Sequence, residues 1–297
     1  MEKYKFIDLF AGIGGFHLGL HNEGCECVFA SEIDKYARET YTKNFKKLSP
    51  NLFKNNNFND DITAIEEECI KKEIPDFDIL CGGFPCQPFS QAGYKKGFED
   101  DRGNLFFHIA KIIEKKQPKA FFLENVRHLE SHDKGKTFST IQKVITEDLG
   151  YSFYTKILKA SDFGLPQHRP RIFIVGFKDD VFEKDDEKKF KFPTPKKELD
   201  FTMSDVWEGQ CSRDVGLTLR VGGRGSPIDD RRNWDGYYVN GEVKRLTPKE
   251  GKKMQGFPDS FIFPVTNAQA MKQLGNSVAV PVIQAIAKNI INYMEKL

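Results

Sequence analysis

Residues 4–22, YKFIDLFAGIGGFHLGLHN, join a short apolar run to an amphipathic stretch through a turn rich in glycine. The run at 4–10 predicts a β-strand, and the stretch at 14–22 predicts a helix. Glycines in such a turn let the backbone approach a ligand closely, and the N-terminus of the following helix offers free N–H groups. The segment therefore predicts an α/β fold with a candidate ligand site at its first turn.

The same alternation of strands and helices continues through the first 175 residues, which is typical of a mostly parallel sheet flanked by helices. Further strands are predicted at 27–31, 77–81, 120–123 and 171–177, and further helices at 35–45, 104–115 and 278–294. The Asn-rich residues 54–61 are expected to form a loop. We predict a discontinuous large domain, 1–180 plus 266–297, and a smaller domain at 181–265, where the clear periodicity is lost.

Composition limits the class of protein. The chain has 297 residues, of which 39% are apolar and 30% charged, and its formal net charge is +2. No apolar run approaches the roughly 20 residues that a bilayer requires, and the N-terminus lacks the pattern of a secretory signal. The six cysteines show no spacing typical of a zinc site. We therefore expect a soluble, cytoplasmic protein with reduced thiols, no metal and no membrane partner.

Charge is distributed unevenly along the second half of the chain. Residues 178–212 carry 7 basic and 10 acidic side chains, whereas residues 213–253 carry 10 basic and 6 acidic ones. The second stretch could face a polyanion such as nucleic acid. Scattered charge on a solvated loop explains it about equally well.

The glycine turn does not match a dinucleotide site. That fingerprint requires Gly-x-Gly-x-x-Gly, and His17 occupies the position of the third glycine. A nicotinamide cofactor, and with it an oxidoreductase, is therefore disfavoured. Glu32 ends the next predicted strand, where a carboxylate can accept hydrogen bonds from both ribose hydroxyls of a nucleoside cofactor. A tight turn followed by a helix-capping acid explains these two features equally well.

Residues 82–90, GGFPCQPFS, place Cys86 in a loop of glycine and proline directly after a predicted strand. Open parallel sheets bind ligands at the carboxyl ends of their strands. The setting of Cys86 therefore suits a presented nucleophile. The other cysteines of this domain are expected to be small apolar core residues: Cys25, Cys27, Cys69 and Cys81.

Two other predicted strands carry charged residues at their ends. Glu124 ends the apolar run 121–123, and a charged residue is rarely buried without a purpose. Arg169 and Arg171 open another strand at alternate positions, so both side chains should point to the same side of the sheet. Taken singly, each of these residues could form only a surface salt bridge.

The order of these motifs resembles that of the C5-cytosine DNA methyltransferase family, in particular its compact bacterial type II modification methylases. Six blocks carry the resemblance over nearly the whole chain: Phe-x-Gly-x-Gly-Gly at 10–15, Pro-Cys-Gln at 85–87, Glu-Asn-Val at 124–126, Gln-x-Arg-x-Arg at 167–171, Arg-Leu-Thr-Pro-x-Glu at 245–250 and Gly-Asn-Ser-Val at 275–278. The resemblance implies an α/β fold with a Rossmann-like sheet that binds S-adenosylmethionine, and a smaller, irregular target-recognition domain.

The resemblance also implies which residues bind S-adenosylmethionine. Phe10 would stack near the adenine, Glu32 would bind the ribose hydroxyls, and Asp61 would help to hold the adenine. The family usually has Gly before that Asp, where this chain has Asp60. The complete expected set is Phe10, Ala11, Gly12, Gly14, Gly15, Glu32, Ile33, Asp61, Ile62, Pro85, Leu105, Asn276 and Ser277.

For the reaction, the resemblance implies that the Cys86 thiolate adds to C6 of cytosine, because C5 alone is too weak a nucleophile to take a methyl group. Glu124 would supply a proton at N3, which requires a pKa raised by partial burial. Arg169 would hold the base carbonyl and help to orient Glu124, while Arg171 would support the site from farther out.

The target cytosine must leave the duplex before a thiol can reach it. Residues 87–102 form a loop long enough to close over such a base, and contacts to DNA are expected from Gln87, Ser90 and Gln91. In the smaller domain the expected DNA contacts are Arg220, Arg224, Arg231 and Arg232, since arginine can bind guanine through two hydrogen bonds. Contact with phosphate alone is equally open for each of them.

Two alternative functions remain open at this point. An RNA cytosine methyltransferase of the same family would share the catalytic blocks, but such relatives carry Cys-Phe-Thr in the smaller domain, where this chain has Cys211 followed by Ser212. A non-catalytic DNA-binding protein would tend to lose Cys86 or Glu124, and both are present. We therefore expect a monomeric enzyme that modifies double-stranded DNA, with a cognate restriction endonuclease as a functional partner.

Overall fold

Residues 4–85, 105–196 and 198–297 are described by the structure, which is a computed structural model of the chain. The strands in this part are β1 (Lys5–Leu9), β2 (Glu26–Ser31), β3 (Phe58–Asn59), β4 (Ile79–Gly83), β5 (Ala120–Val126), β6 (Tyr154–Lys159), β7 (Pro170–Phe177), β8 (Gly236–Val239) and β9 (Glu242–Arg245). The helices are α1 (Gly15–Asn22), α2 (Lys35–Phe45), α3 (Pro50–Lys54), α4 (Ile70–Glu73), α5 (Leu105–Lys116), α6 (Lys136–Lys143), α7 (Met203–Trp207), α8 (Pro248–Gln255), α9 (Asn267–Asn276) and α10 (Val280–Met294).

Seven of these strands form one sheet in the order β3-β2-β1-β4-β5-β7-β6, and β8 and β9 form a separate antiparallel hairpin. Strands β1 to β5 pair in parallel, whereas β7 runs antiparallel to both β5 and β6. The prediction of a mostly parallel α/β sheet is confirmed. Because the carboxyl ends of β1, β2, β4 and β5 meet at one edge, the segments that follow these strands converge there.

The central strands are apolar on both faces because helices cover both sides of the sheet. Phe6 of β1 lies in one apolar core with Phe16 of α1 and Ile283 of α10. Its neighbour Ile7 points to the other face and lies in a second core with Ile109 of α5. All five of these side chains are buried, and full burial of one such side chain contributes about 1.5–3 kcal/mol.

Several elements were not predicted from the sequence, among them β6 and α9, and two segments near the carboxyl edge of the sheet differ from their prediction. Strand β4 continues to Gly83, beyond the predicted end at residue 81, because Gly83 pairs with Glu124 of β5. Residues Phe58–Asn59, expected to lie in a loop, pair with the end of β2 as the short edge strand β3. Two residues are too few to show the alternating pattern by which strands are recognised in a sequence.

Within the described residues, one helical segment, Asn267–Met294, is long and apolar enough to cross a membrane by length and composition. The segment is interrupted, since α9 ends at Asn276 and α10 begins at Val280. Most of the segment is buried inside the protein, and α10 packs against α1. Here it forms part of the core.

The segment 181–265 contains α7, α8 and the β8-β9 hairpin. Its apolar residues are continuous with the core of the large sheet, since Trp234 and Leu246 belong to the same cluster as Leu274 of α9. The two tryptophans of the chain, Trp207 and Trp234, both lie in this segment. A division into domains at residues 180/181 and 265/266 stays a prediction.

Candidate active site

A cavity of about 500 Å³ opens at the carboxyl edge of the sheet, a volume typical of small-ligand sites. Its lining includes most of the residues predicted to bind a cofactor: Phe10, Gly12, Glu32, Ile33, Asp61, Ile62, Pro85, Leu105 and Asn276. Glu124, Arg169 and Arg171 line the same cavity. The other predicted cofactor residues, Ala11, Gly14, Gly15 and Ser277, belong to the same chain segments as the lining residues. The structure thus brings nine of the predicted cofactor residues together with Glu124, Arg169 and Arg171 in one cavity.

The glycine turn is held in a conformation that few other residues tolerate. Gly14 has a φ of 85°, and a Cβ atom at this position would clash with the ring of Phe45 in α2. Phe10 has a φ of 55°, which is uncommon for a residue that is not glycine. Strained backbone of this kind is concentrated at functional sites, where the surrounding structure holds it in place.

Glu32 links the glycine turn to the start of α2. Its Oε2 atom accepts a hydrogen bond of 2.7 Å from the Gly12 N–H, and its Oε1 atom accepts one of 2.8 Å from the Asp34 N–H. Burial raises the pKa of Glu32, and the two backbone hydrogen bonds oppose that rise. Each carboxylate oxygen can accept a further hydrogen bond, so Glu32 can still bind two hydroxyl groups of a ligand in the cavity.

Asp60 and Asp61 both line the cavity but have different partners. The Asp60 carboxylate forms an ion pair of 3.2 Å with Arg38. The Asp61 carboxylate accepts hydrogen bonds of 2.9 Å from the Thr63 N–H and 2.6 Å from the Thr63 hydroxyl, which fixes the turn before Ile62. Each carboxylate thus has a partner in the protein and one oxygen without a hydrogen bond or ion pair to a described residue, and the assignment of the cofactor contact to Asp61 stays a prediction.

Glu124 is a buried carboxylate at the end of β5, with 8% of its surface exposed. Its Oε1 atom lies 2.9 Å from Nε of Arg171, on the antiparallel neighbour β7. Burial raises the pKa of Glu124, and the positive charges of Arg171 and Arg169 oppose that rise. The site therefore holds a carboxyl group that gains a proton more readily than an exposed glutamate does.

Arg169 donates hydrogen bonds to backbone carbonyls, whereas Arg171 forms the ion pair with Glu124. The Arg169 guanidinium donates hydrogen bonds to the carbonyl oxygens of Leu219 (3.0 Å), Gly275 (3.0 Å) and Ser277 (2.5 Å). Burial, followed by the nearby charge of Arg171, lowers the pKa of Arg169 to about 9, so the group is still protonated at neutral pH. The expectation that Arg169 orients Glu124 while Arg171 acts from farther out is corrected, because Arg171 makes that contact.

The chain approaches Cys86 beside Glu124. A Cβ atom on Gly83, the last residue of β4, would lie 3.1 Å from a Glu124 carboxylate oxygen. Asn125 donates a hydrogen bond of 2.8 Å to the carbonyl oxygen of Phe84, which ties this segment to β5. Cys86 itself, with Gln87, Ser90 and Gln91, lies outside the described residues.

Two sets of contacts at or beside the site were not predicted from the sequence. Lys272 lies 3.1 Å from the Asp34 carboxylate, and both line the cavity. The spacing in the sequence could have indicated Lys272, since it precedes Asn276 by four residues and therefore lies on the same face of a helix. Gln167, the first residue of the Gln-x-Arg-x-Arg block, accepts a hydrogen bond from the Leu219 N–H and donates one to the Met254 carbonyl. No local sequence pattern indicated that contact.

The four arginines predicted to bind DNA have different surroundings. Arg220 and Arg231 are exposed and form no ion pair with any described residue. Arg232 pairs with Asp230 at 2.8 Å on the surface. Arg224 lies 3.6 Å from the buried Asp235 and donates a hydrogen bond of 2.9 Å to the Leu246 carbonyl. Arg224 therefore has bonds within the protein that the sequence did not indicate.

The cysteines away from the site behave largely as expected. Cys25, Cys27 and Cys81 are buried in the core, and Cys69 is half-buried against it. Burial raises the pKa of the Cys81 thiol, which makes it a poor nucleophile. Among the residues that the structure describes, no cluster of three His, Cys, Asp or Glu side chains could hold a metal ion.

Comparison with known proteins agrees with the family that the motifs indicate. A sequence model of the family described as C-5 cytosine-specific DNA methylase matches residues 4–224 and 217–292. The chain is 45% identical to the type II methyltransferase M1.ScrFI of Lactococcus lactis subsp. cremoris, over 99% of this chain and 79% of that protein. It is 42% identical to the type II methyltransferase M.HpaII of Haemophilus parainfluenzae, over 100% of this chain and 91% of that protein.

A solved structure described as a prophage-encoded DNA modification methyltransferase from E. coli has a similar fold. Its TM-score is 0.72 at 24% identity, over 99% of this chain and 100% of the other. At that identity the likeness shows the fold alone. The family match over nearly the whole chain, together with relatives above 40% identity, shows that this chain belongs to the C-5 cytosine-specific DNA methylase family.

Proposed function

We propose that this chain methylates C5 of a cytosine flipped out of duplex DNA, through a covalent bond between Cys86 and C6 of the base. Family membership establishes the reaction class, a DNA (cytosine-5-)-methyltransferase that uses S-adenosylmethionine. The observation that carries the proposed mechanism is the buried pair of Glu124 and Arg171 in the cavity, next to the segment that leads to Cys86.

The residues of the cavity fit S-adenosylmethionine. The free acceptor positions of Glu32 suit ribose hydroxyls, and Phe10 and Ile62 offer apolar surface for an adenine ring. Asp61 and the segment Asn276–Ser277 supply polar groups near the same cavity. When bound, S-adenosylmethionine supplies an electrophilic methyl group.

The base chemistry follows from the groups around Glu124. The thiolate of Cys86 forms a bond to C6, which turns C5 into a carbon nucleophilic enough to accept a methyl group. Negative charge that develops on the ring is neutralised by a proton from Glu124 at N3, and the raised pKa of Glu124 favours its protonated form. C5 then takes the methyl group, which would leave the bound cofactor as S-adenosylhomocysteine. C5 loses its proton to water, the bond between C6 and sulfur breaks to release the Cys86 thiolate, and the proton on N3 returns to Glu124.

Arg171 is the better candidate to orient Glu124 and to bind the base carbonyl. Its Nε atom contacts the Glu124 carboxylate, and its side chain lines the cavity. The guanidinium of Arg169 is occupied by three backbone carbonyls, which suits a supporting role. This assignment exchanges the roles that the sequence favoured for the two arginines.

We further propose that the segment 181–265 recognises the DNA sequence and that residues 1–180 and 266–297 form the catalytic domain. Exposed arginines in the segment can contact base edges or phosphates. The names of the type II relatives favour a role in a restriction-modification system, with a cognate endonuclease that acts on the same site. Such an enzyme would work as a cytoplasmic monomer on double-stranded DNA.

The test is bisulfite sequencing of total DNA from a methylation-deficient bacterial host that expresses the chain. We expect protected cytosines in one fixed sequence context with the native protein and none with Cys86→Ser, which should still bind DNA. Cys69→Ser is the matched control, because Cys69 is half-buried away from the cavity lining and should leave the pattern unchanged. Methylation by Cys86→Ser at a near-native rate would contradict the covalent mechanism. Absence of any protected cytosine with soluble, cofactor-binding native protein would favour an RNA substrate.

A further inference from the structure

The recognition segment, residues 218–235, contains one carboxylate that is fully buried. Asp235 is 0% exposed, directly before β8. A buried carboxylate is stable only when opposite charges and hydrogen-bond donors surround it. Asp235 has both, and all of its partners lie in or beside the recognition segment.

Two arginines and one backbone amide meet the Asp235 carboxylate. Nη1 of Arg245 lies 2.9 Å from Oδ1, and Nε of Arg224 lies 3.6 Å from Oδ2. The Gly225 N–H donates to both oxygens at 3.2 Å. This amide sits in a left-handed turn, since Gly225 has a φ of 84°, and the turn brings the backbone towards the carboxylate.

The same two arginines extend the contact to the surrounding backbone. Arg245 also donates to the carbonyl of Ser226 at 2.8 Å, and Arg224 donates to the carbonyl of Leu246 at 2.9 Å. The buried Trp234 next to Asp235 donates its indole N–H to the carbonyl of Gly222 at 2.8 Å. The backbone around residues 222–226 is thus tied to residues 234–246 at several points.

The exposed arginines of this segment differ in whether they have a partner in the protein, since Arg224 and Arg232 form ion pairs although their side chains are 37% and 69% exposed. Arg220 lies just before the tied segment and Arg231 after it, and both are exposed without an ion pair to any described residue. Arg224, by contrast, uses its Nε and Nη2 atoms within the protein. The arginines of the segment therefore divide into those that support it and those that are free to meet a ligand.

We propose that Asp235 is a positioning residue for sequence recognition, which fixes the segment through Arg224 and Arg245 so that Arg220 and Arg231 meet the DNA. This inference rests on the proposed role of the segment 181–265 in recognition. A bidentate contact between arginine and guanine depends on the placement of the whole guanidinium, so a loosely held segment loses discrimination between base pairs. Asp235 thereby acts on specificity without touching DNA.

The test compares methylation at the native target site with methylation at sites that differ from it by one base pair. Bisulfite sequencing of host DNA gives both values for each variant. One wrong base pair weakens a specific protein–DNA complex by about 5- to 150-fold, so loss of most of this discrimination should lower the ratio of target to near-target methylation about tenfold. We expect that loss for Asp235→Asn, which keeps the shape of the side chain and removes its charge.

Glu208→Gln is the matched control. Glu208 also bridges two cations, Lys249 at 3.1 Å and Lys253 at 3.0 Å, but it is 63% exposed and lies outside residues 218–235, which contain the arginines proposed to meet DNA. Its substitution should leave the ratio unchanged. A native-like ratio in Asp235→Asn would overturn the proposal. A native protein that shows no preferred site would overturn both this proposal and the recognition role on which it rests.

Arg224→Met provides a second variant in case Asp235→Asn fails to fold, since it leaves the Asp235 ion pair with Arg245 in place. If Arg224 supports the segment, Arg224→Met relaxes several positions of the target site together, and Arg224→Lys restores part of the discrimination. If Arg224 reads a base instead, Arg224→Met relaxes a single position, and the proposal is wrong. Calorimetric S-adenosylmethionine binding at the native level would show that the altered ratio is not a general loss of structure.

Discussion

Glu124 combines deep burial with an ion pair to Arg171, and the two effects act on its pKa in opposite directions. We expect Glu124→Gln to lower the single-turnover methylation rate by several orders of magnitude, because glutamine has no acidic proton to deliver to the base. Rapid-quench measurement of methyl transfer on a saturating duplex would give this rate. A loss smaller than about tenfold would remove Glu124 from the proposed proton transfer, since general acid catalysis contributes about 10²–10⁴-fold.

The position of Glu32 predicts an effect on the affinity for S-adenosylmethionine rather than on the rate of methylation. We expect Glu32→Ala to weaken S-adenosylmethionine binding by about 10- to 150-fold, because hydrogen bonds to a charged group contribute about 1.5–3 kcal/mol. Calorimetry with cofactor, and separately with duplex DNA, would measure both affinities. Glu32→Gln should lose less, since its amide oxygen can still accept the bond from Gly12. An unchanged cofactor affinity in Glu32→Ala would rule out the ribose assignment.

Asp8 predicts a pH dependence of stability. Its carboxylate is fully buried in β1 and accepts a hydrogen bond of 3.2 Å from the His17 N–H, and burial raises its pKa well above the ordinary value. The folded protein therefore keeps the Asp8 proton to a higher pH than the unfolded chain does. The stabilisation is complete below the unfolded pKa of about 3.9 and is lost as pH rises through the raised pKa.

Urea unfolding of the native protein and of Asp8→Asn between about pH 4 and pH 8 would test this. The asparagine side chain does not titrate, so only the native protein loses this contribution. The free energy of unfolding of Asp8→Asn minus that of the native protein should therefore increase as pH rises. Each unit of pKa shift corresponds to about 1.4 kcal/mol. The buried His17 is present in both proteins and cancels in the difference. A difference that is constant with pH would show that Asp8 does not titrate in this way.

At the level of single residues, the sequence predicted which side chains surround the cavity better than it predicted their contacts. Motif position located Glu124, Arg169 and Arg171 because each lies at the end of a strand whose neighbours converge at one edge. Arg171 reaches Glu124 because of the antiparallel register of β5 and β7. This register places Val126 opposite Arg171, so Glu124, two residues before Val126, is the diagonal neighbour of Arg171. Strand register between distant segments leaves no trace in local sequence.

At the level of elements, the junction of β1 and α1 depends on Gly14. We expect Gly14→Ala to destabilise the protein more than Gly24→Ala does. Both glycines have a φ of 85°, and a left-handed conformation costs a residue with a side chain about 1–2 kcal/mol. Only Gly14 adds a clash with Phe45, whereas nothing lies within 4 Å of a Cβ atom on Gly24.

Thermal unfolding of the two variants would measure this difference, which we expect to be at least about 1 kcal/mol. Gly14→Ala should also weaken cofactor binding, because the shifted turn would move Gly12 and Glu32 apart. Gly24→Ala should bind S-adenosylmethionine with native affinity, since Gly24 lies at the far end of α1. Equal losses of stability in both variants would mean that Phe45 moves aside freely.

The sequence predicted well the elements in which a pattern of apolar side chains repeats over several helical turns or several strand residues. The apolar period of α5 and of α10 follows from packing against opposite faces of the sheet, so the pattern and the burial have one cause. Strand β3 was missed because its two residues depend on pairing with β2. Helix α9 was missed because its buried face is short and includes Gln273 and Gly275, which interrupt the apolar pattern.

At the level of the whole molecule, Arg169 connects the recognition segment to the cofactor site, because its guanidinium joins the carbonyl of Leu219 to those of Gly275 and Ser277. We expect Arg169→Met to lower the free energy of unfolding by about 3–5 kcal/mol, because three buried carbonyls would lose their donor. Urea unfolding would measure this loss. Arg38→Met is the control, since its surface ion pair with Asp60 should contribute less than about 1 kcal/mol.

A loss in Arg169→Met as small as that of the control would mean that water or other donors replace the guanidinium. No local sequence pattern indicates this connection, because its three acceptors are backbone atoms and carry no residue signature. The apolar core is continuous across the predicted domain boundaries, and the division itself stays a prediction.

The placement of the two tryptophans has an optical consequence. Trp207 and Trp234 both lie in the segment 181–265, and the indole of Trp234 bonds to Gly222 inside the recognition segment. Intrinsic tryptophan emission therefore reports on this part of the molecule alone, whereas far-ultraviolet circular dichroism reports mainly on the helices around the large sheet. Coincident denaturation curves from the two signals would show one cooperative unit. Separate midpoints would show that the segment 181–265 unfolds independently of the large sheet.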